Sequence, residues 1–119
     1  MAVKYSNNAS TTLNGAITTS ATSITVNDVS EFPTLTGSDY TYLTLSNSAA
    51  TTIEIIKVTA INTTTKVLTA ERGKDNTTAA AFSSGDICEL RLTAIMLNEA
   101  ASQNDDASGT AVAMAIALG

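Results

Sequence analysis

The sequence predicts a mainly β fold, a small barrel or sandwich with one short C-terminal helix and a terminal extended tail. Three observations carry this. Short runs of β-branched and aromatic residues recur along the chain, several with period-two alternation. Clusters of Asn, Asp, Gly and Ser separate them at short intervals. After Thr93 the period becomes helical, and that stretch is short. At 119 residues the chain suits one domain. It divides into an N-terminal arm over residues 1–12, a β module with its terminal helix over 13–104, and an alternating apolar tail over 105–119.

Residues 1–12 are polar and rich in Asn, Ser and Thr, and read as an extended arm or a disordered start. Leu13-Asn14-Gly15 signals a turn before Ala16-Ile17-Thr18. Ser23-Ile24-Thr25-Val26 alternates apolar and hydroxyl side chains, as a half-buried strand does. Asn27-Asp28 ends it, Phe32-Pro33 holds an extended or turn backbone, and Gly37-Ser38-Asp39 is a further turn. Tyr40-Thr41-Tyr42-Leu43-Thr44-Leu45 is the second clear strand. The longest strand runs from Thr52 to Ala60, and Asn62-Thr63-Thr64-Thr65 links it tightly to a strand from Lys66 to Ala70.

Residues 72–84 read as a long loop carrying Gly73, Asp75 and Asn76. Gly85-Asp86 opens the last strand, from Ile87 to Leu92. Thr93 is a good helix N-cap, and Leu92 with Leu97 at the fourth helical position predicts a hydrophobic staple. The helix then runs from Ala94 to Gln103 and is stopped by Asn104-Asp105-Asp106 and Ser108-Gly109.

From Ala111 to Leu118 small and large residues alternate strictly, which places Val112, Met114, Ile116 and Leu118 on one face of a strand. These four are the candidate subunit or partner interface: such a tail can add a strand to a neighbouring subunit or a partner. A strand paired within its own domain, or an Ala-rich helical end, fits the same residues.

Composition narrows the chemistry. Hydrophobic residues make up 44% of the chain but aromatics only 4%, so a core built largely on Ala and Thr stabilises a lone monomer weakly. Part of the apolar surface is therefore expected to be buried against other copies of the chain. There is no histidine, which removes most hydrolase and metalloenzyme schemes. Cys88, the single cysteine, lies in an alternating strand pattern and reads as a small buried hydrophobe. Six Lys and Arg against eleven Asp and Glu, with the cations scattered, argue against binding to nucleic acid. No secretory leader is expected from the opening residues, and no apolar run approaches the ~20 residues of a membrane span.

No catalytic, cofactor or metal constellation emerges. Gly73-Lys74 fails as a phosphate loop, because position 68 is Leu and position 75 is Asp. Asp105-Asp106 lacks the spaced carboxylates of a calcium site. Glu54, Glu71 and Glu89 are expected to pair across strands with Lys57, Lys66, Arg72 or Arg91, each pair contributing ~0.2–1 kcal/mol.

The run from Glu54 to Ala94 resembles a small β module of tailed-bacteriophage virion proteins, found at the N-terminal end of tail and head fibre proteins and in small stand-alone virion proteins. In that module a loop reads Arg-Gly, a variable residue, an acid and Gly-Thr, followed by Ala-Phe, Gly-Asp and a closing strand before a Thr-Ala helix start. Arg72-Gly73-Lys74-Asp75, Ala81-Phe82, Gly85-Asp86 and Thr93-Ala94 match it. Asn76 stands where Gly is usual, and Asn tolerates the left-handed backbone such a turn requires. Residues 21–26 and Phe32-Pro33 resemble the module's first half.

The resemblance implies a non-enzymatic virion protein on the capsid surface or tail, with no cofactor. Fibre proteins carrying the module continue into shaft and receptor-binding domains, whereas this sequence ends at Gly119. A capsid decoration (cement) protein stabilising the head is therefore expected, with a tail or neck adaptor that anchors fibres as the alternative. Such proteins commonly work as trimers, so the implied partners are its own copies in a homotrimer and the major capsid protein or tail and neck proteins. A carbohydrate-binding module is a third and weaker reading, with Tyr40 and Tyr42 as its best stacking platform.

Overall fold

The longest strand, β4 (Ile53–Asn62), alternates inward Glu54, Ile56 and Val58 with outward Ile55 and Lys57. It anchors the sheet in a computed structural model that describes residues 2–103. On one side it pairs antiparallel with β3 (Thr41–Ser46), placing Leu43 opposite Ile56 and Leu45 opposite Glu54. On the other it pairs with β5 (Val67–Lys74), where two register shifts bend the ladder. The short strands β1 (Ser10–Thr12), β2 (Ser23–Thr25) and β6 (Ile87–Glu89) complete the order β1-β6-β3-β4-β5-β2. All pairings between these six strands are antiparallel, and the sheet curls into a half-barrel.

The two edges of the half-barrel meet. Leu13 bridges Val26, with Asn14 N donating to Thr25 O at 2.9 Å and Asn27 N to Thr12 O at 3.0 Å. The curl encloses Leu13, Ile24, Val26, Leu43, Leu45, Ile56, Val58, Leu68 and Cys88, all at 0% exposure. This is the mainly β architecture that the sequence predicts.

The chain's single described helix, α1 (Ala94–Gln103), lies against the outer face of the sheet through Met96, which packs with Val3, Tyr40 and Tyr42. As a result every residue of β3 is buried, Leu43 and Leu45 by the inner core and Tyr42 by the outer one. The helix is too short to cross a membrane, and no other described helix is long and apolar enough to do so.

Local expectations hold in some places and fail in others for identifiable reasons. The helix has the bounds read from its sequence, and Thr93 Oγ1 accepts a hydrogen bond from Met96 N at 3.4 Å as an N-cap. The hydrophobic staple is absent, since Leu92 is 64% exposed. Instead Asp75 Oδ2 accepts from Ile95 N at 3.3 Å, so a distant loop helps to cap the helix. β6 stops at Glu89, short of Leu92.

β5 runs on to Lys74, so residues 72–74 belong to the strand rather than to a loop. Within the expected arm, Ser10–Thr12 forms β1 because β6 offers it a partner, with Thr11 opposite Cys88. Farther back in the arm, Val3 bridges Tyr40. The tail over residues 105–119 lies outside the described residues.

Leu43 sits at 0% exposure between the sheet and the inner core. Leu43→Ala is expected to lower the free energy of unfolding by about 2–5 kcal/mol, measured by chemical denaturation.

Candidate functional site

The resemblance pointed to residues 72–86, and these gather around one buried carboxylate. Glu54 follows the inward period of β4, so its side chain enters the core at 0% exposure. An isolated buried carboxylate is very costly, and this one is compensated by four donors. Arg72 reaches it through Nε and Nη2, both at 2.8 Å, Gly73 N at 2.8 Å and Ala80 N at 2.9 Å.

Arg72 in turn uses all five guanidinium N–H groups. Besides Glu54, Nη1 donates to Thr18 O at 2.6 Å and Ala21 O at 3.0 Å, and Nη2 to Ala80 O at 2.6 Å. One ion pair thus ties β4 and β5 to the segment before β2 and to the loop after β5. Burial alone would raise the Glu54 pKa. The hydrogen bonds from Arg72, Ala80 and Gly73 outweigh it and hold the carboxyl below the usual carboxylate range.

The neighbouring motif residues hold backbone in place. Gly73 has φ +60, and a Cβ there would stand 3.2 Å from Ala79 N and 3.3 Å from Thr77 O, so a side chain is excluded twice over. Asp75 and Asn76 both take left-handed backbone, at φ 51 and 63, as the Asn at that position leads one to expect. Thr77 Oγ1 donates to Lys74 O at 2.6 Å and accepts from Ile55 N at 2.9 Å. Phe82 is buried and bridges Ile17, while Asp86 Oδ2 accepts from Ser83 N at 2.8 Å. These side chains are spent on architecture.

Glu71 pairs with Lys74 at 3.0 Å on the surface, and Glu89 with Arg91. Both are pairs within one segment rather than the cross-strand pairs expected, whereas Glu54 does pair across strands, with Arg72, but buried rather than at the surface. A signal for it was present in the sequence: Glu54 falls in phase with Ile56 and Val58 on a face otherwise apolar.

The aromatic pair is equally committed. Tyr40 and Tyr42 are 4% and 2% exposed, meet edge to face at 5.7 Å, and both donate to the Glu99 carboxylate of α1. Lys57 Nζ stands 4.3 Å from the Tyr40 ring centroid. Burial first, then the bond to Glu99, pushes the Tyr40 hydroxyl up to about 12 and raises Tyr42 as well. Neither ring presents a face to a sugar, which removes the platform of the carbohydrate reading.

Cys88 is fully buried, and burial pushes its thiol up to about 12. No group of three or more His, Cys, Asp or Glu among the described residues is placed to hold a metal ion. Val112, Met114, Ile116 and Leu118, the candidate interface, lie outside the described residues.

Among the described residues, one open surface feature is a cleft of about 340 Å³ between residues 28–35 and the β4–β5 hairpin. Val29, Phe32, Pro33, Leu35 and Ile61 form its apolar walls, and Asp28 and Lys66 are among its polar ones. Sequence reading passed over it because its walls come from two segments about thirty residues apart, neither with a motif. No family model matches the chain, and no curated protein matches it.

Glu54→Gln removes the charge that compensates Arg72 and turns an amide donor toward backbone N–H groups. It is expected to cost about 3–5 kcal/mol of stability, measured by denaturation at neutral pH. Because the folded pKa of Glu54 is depressed, its contribution is full above the unfolded value near ~4.3 and is lost as pH falls through the folded one. Wild-type stability should therefore decline below about pH 4 more steeply than that of Glu54→Gln. Cys88 should resist thiol reagents in the native protein and react fully once the chain is unfolded, as read by mass spectrometry.

Proposed function

We propose that this chain is a non-enzymatic structural protein of a tailed-bacteriophage virion, and within that class a capsid decoration protein that stabilises the head. The observation that carries this reading is the role of the motif residues. Arg72, Gly73, Asp75, Phe82, Asp86 and Thr93, on which the resemblance rests, each hold a loop, a strand or the helix in place. A motif spent on scaffold is what a structural module requires, because its product is a rigid surface rather than a reaction. The tail or neck adaptor is the alternative within the same class.

Apolar side chains left exposed support assembly with other copies. Ile53 is 44% exposed, Tyr5 46% and Leu92 64%, in a chain with few large apolar residues to spare. Burial of such residues at a trimer interface adds the area that a small core lacks.

Two measurements test the proposal. Light scattering on the purified chain is expected to give the mass of a trimer. Quantitative mass spectrometry of purified particles is expected to find it at hundreds of copies, on the order of the capsid lattice, whereas about a dozen would place it at the tail or neck. Its absence from purified particles would overturn the virion reading.

A further inference from the structure

We propose that residues 2–6 and α1 form one latch over the outer face of the sheet, which opens and closes as a unit while the half-barrel stays folded. Drawing the arm away then releases the helix, and releasing the helix frees the arm. This goes beyond the virion reading and does not depend on it.

The two parts are bound to each other and to one patch of the sheet. The arm lies parallel to the start of β3: Tyr40 N donates to Ala2 O at 3.0 Å, Lys4 N to Tyr40 O at 2.8 Å, and Thr41 Oγ1 to Lys4 O at 2.7 Å. From α1, Gln103 accepts from Val3 N at 2.9 Å and donates to the Tyr40 hydroxyl at 2.6 Å, while Glu99 accepts from both tyrosines. Val3 and Met96 pack in one cluster with Tyr40 and Tyr42. If α1 left alone, Val3 would lose its cover and the acceptor of its amide. If the arm left alone, Met96, Gln103 and the backbone of Tyr40 would lose theirs. Each half-open state thus exposes apolar surface and leaves polar groups without the partners that closure supplies, so the parts move together.

The half-barrel does not need the latch. Its inner cluster of buried residues is drawn from positions 9–88, and neither residues 2–6 nor α1 contribute to it. Met96 is the single buried residue of α1, so little apolar area holds the helix down. Once released, a helix of 10 residues is too short to persist in water.

Both parts leave the half-barrel at the same point. Leu90 N donates to Ala9 O at 2.9 Å, and Ala9 belongs to the inner cluster. On the arm side of that bond lie exposed Asn7 and Asn8, the latter in left-handed backbone at φ 57. On the helix side residues 91–93 have no regular structure, and Leu92 is exposed. Two hinges therefore stand side by side. Ser6 Oγ, donating to Glu31 O, adds a surface tie for the arm, and Asp75, accepting from Ile95 N, adds one for the helix.

Site-resolved hydrogen exchange on the full-length chain tests this. The Lys4 amide reports the arm, amides 98–101 the helix, and Leu13, Val26 and Ala70 the half-barrel. Lys4 and residues 98–101 are expected to share one protection factor, at least about tenfold below that of the half-barrel amides. Thr93→Ala weakens α1 at its cap and should speed exchange at Lys4 and at residues 98–101 alike, by about fivefold. Ser6→Ala loosens the arm at Glu31 and should speed residues 98–101 by the same factor as Lys4, about two- to tenfold. An effect confined to the part that carries the substitution shows two independent elements and overturns the proposal. Protection of Lys4 and of residues 98–101 equal to that of the half-barrel overturns it as well, because the latch would then open only when the whole chain unfolds.

Discussion

The structure depends on how one carboxylate is accommodated. Glu54 lies on the inward face of the longest strand, and burying its charge is tolerable only if donors surround it. Arg72 meets it as a two-pronged fork, and the guanidinium then needs partners for its remaining N–H groups. It finds them in the carbonyls of Thr18, Ala21 and Ala80. Segments without regular structure are thereby held at fixed places around β4 and β5. The energetic return on a buried ion pair over well-packed apolar residues is small or negative. Its consequence here is specificity, because few arrangements of these loops satisfy every donor and acceptor at once.

The outer face solves a different problem. A sheet of short strands with few aromatic residues cannot bury enough area on one side alone. β3 is used on both faces, with the half-barrel core beneath it and Tyr40, Tyr42, Met96 and Val3 above. Glu99 accepts both tyrosine hydroxyls, and Gln103 joins Tyr40 to the arm, so the polar ends of the outer cluster are satisfied. Asp75 connects the two halves, since it belongs to the loop that closes over Glu54 and also caps the helix. Disturbing that loop is therefore felt on both faces of the sheet.

Such a scaffold suits a protein whose surface is its product. Its motif residues, Tyr40, Tyr42 and Cys88 are engaged in packing or hydrogen bonds. Among the described residues it leaves open isolated exposed apolar side chains and a cleft beside the β4–β5 hairpin.

Local chemistry made much of the fold legible. Period two in residues 23–26, 40–45 and 52–60 located three strands, and the change of period after Thr93 located the helix with its bounds, because a cap acts within a few residues. Where partners lie far apart in sequence, reading stopped. Ser10–Thr12 has the composition of an arm and becomes a strand because Glu89, 79 residues later, stands opposite Ser10. Arg72 and Gly73 look like loop and end up in β5 because β4 runs alongside them, with Lys57 opposite Glu71 and Ile55 opposite Lys74. The sequence by itself determined which residues could face inward and where backbone must turn, since those follow from side-chain period and turn chemistry. Only the tertiary structure decided which inward charge met which cation and which loop closed over them, because those contacts exist only once distant segments share one core.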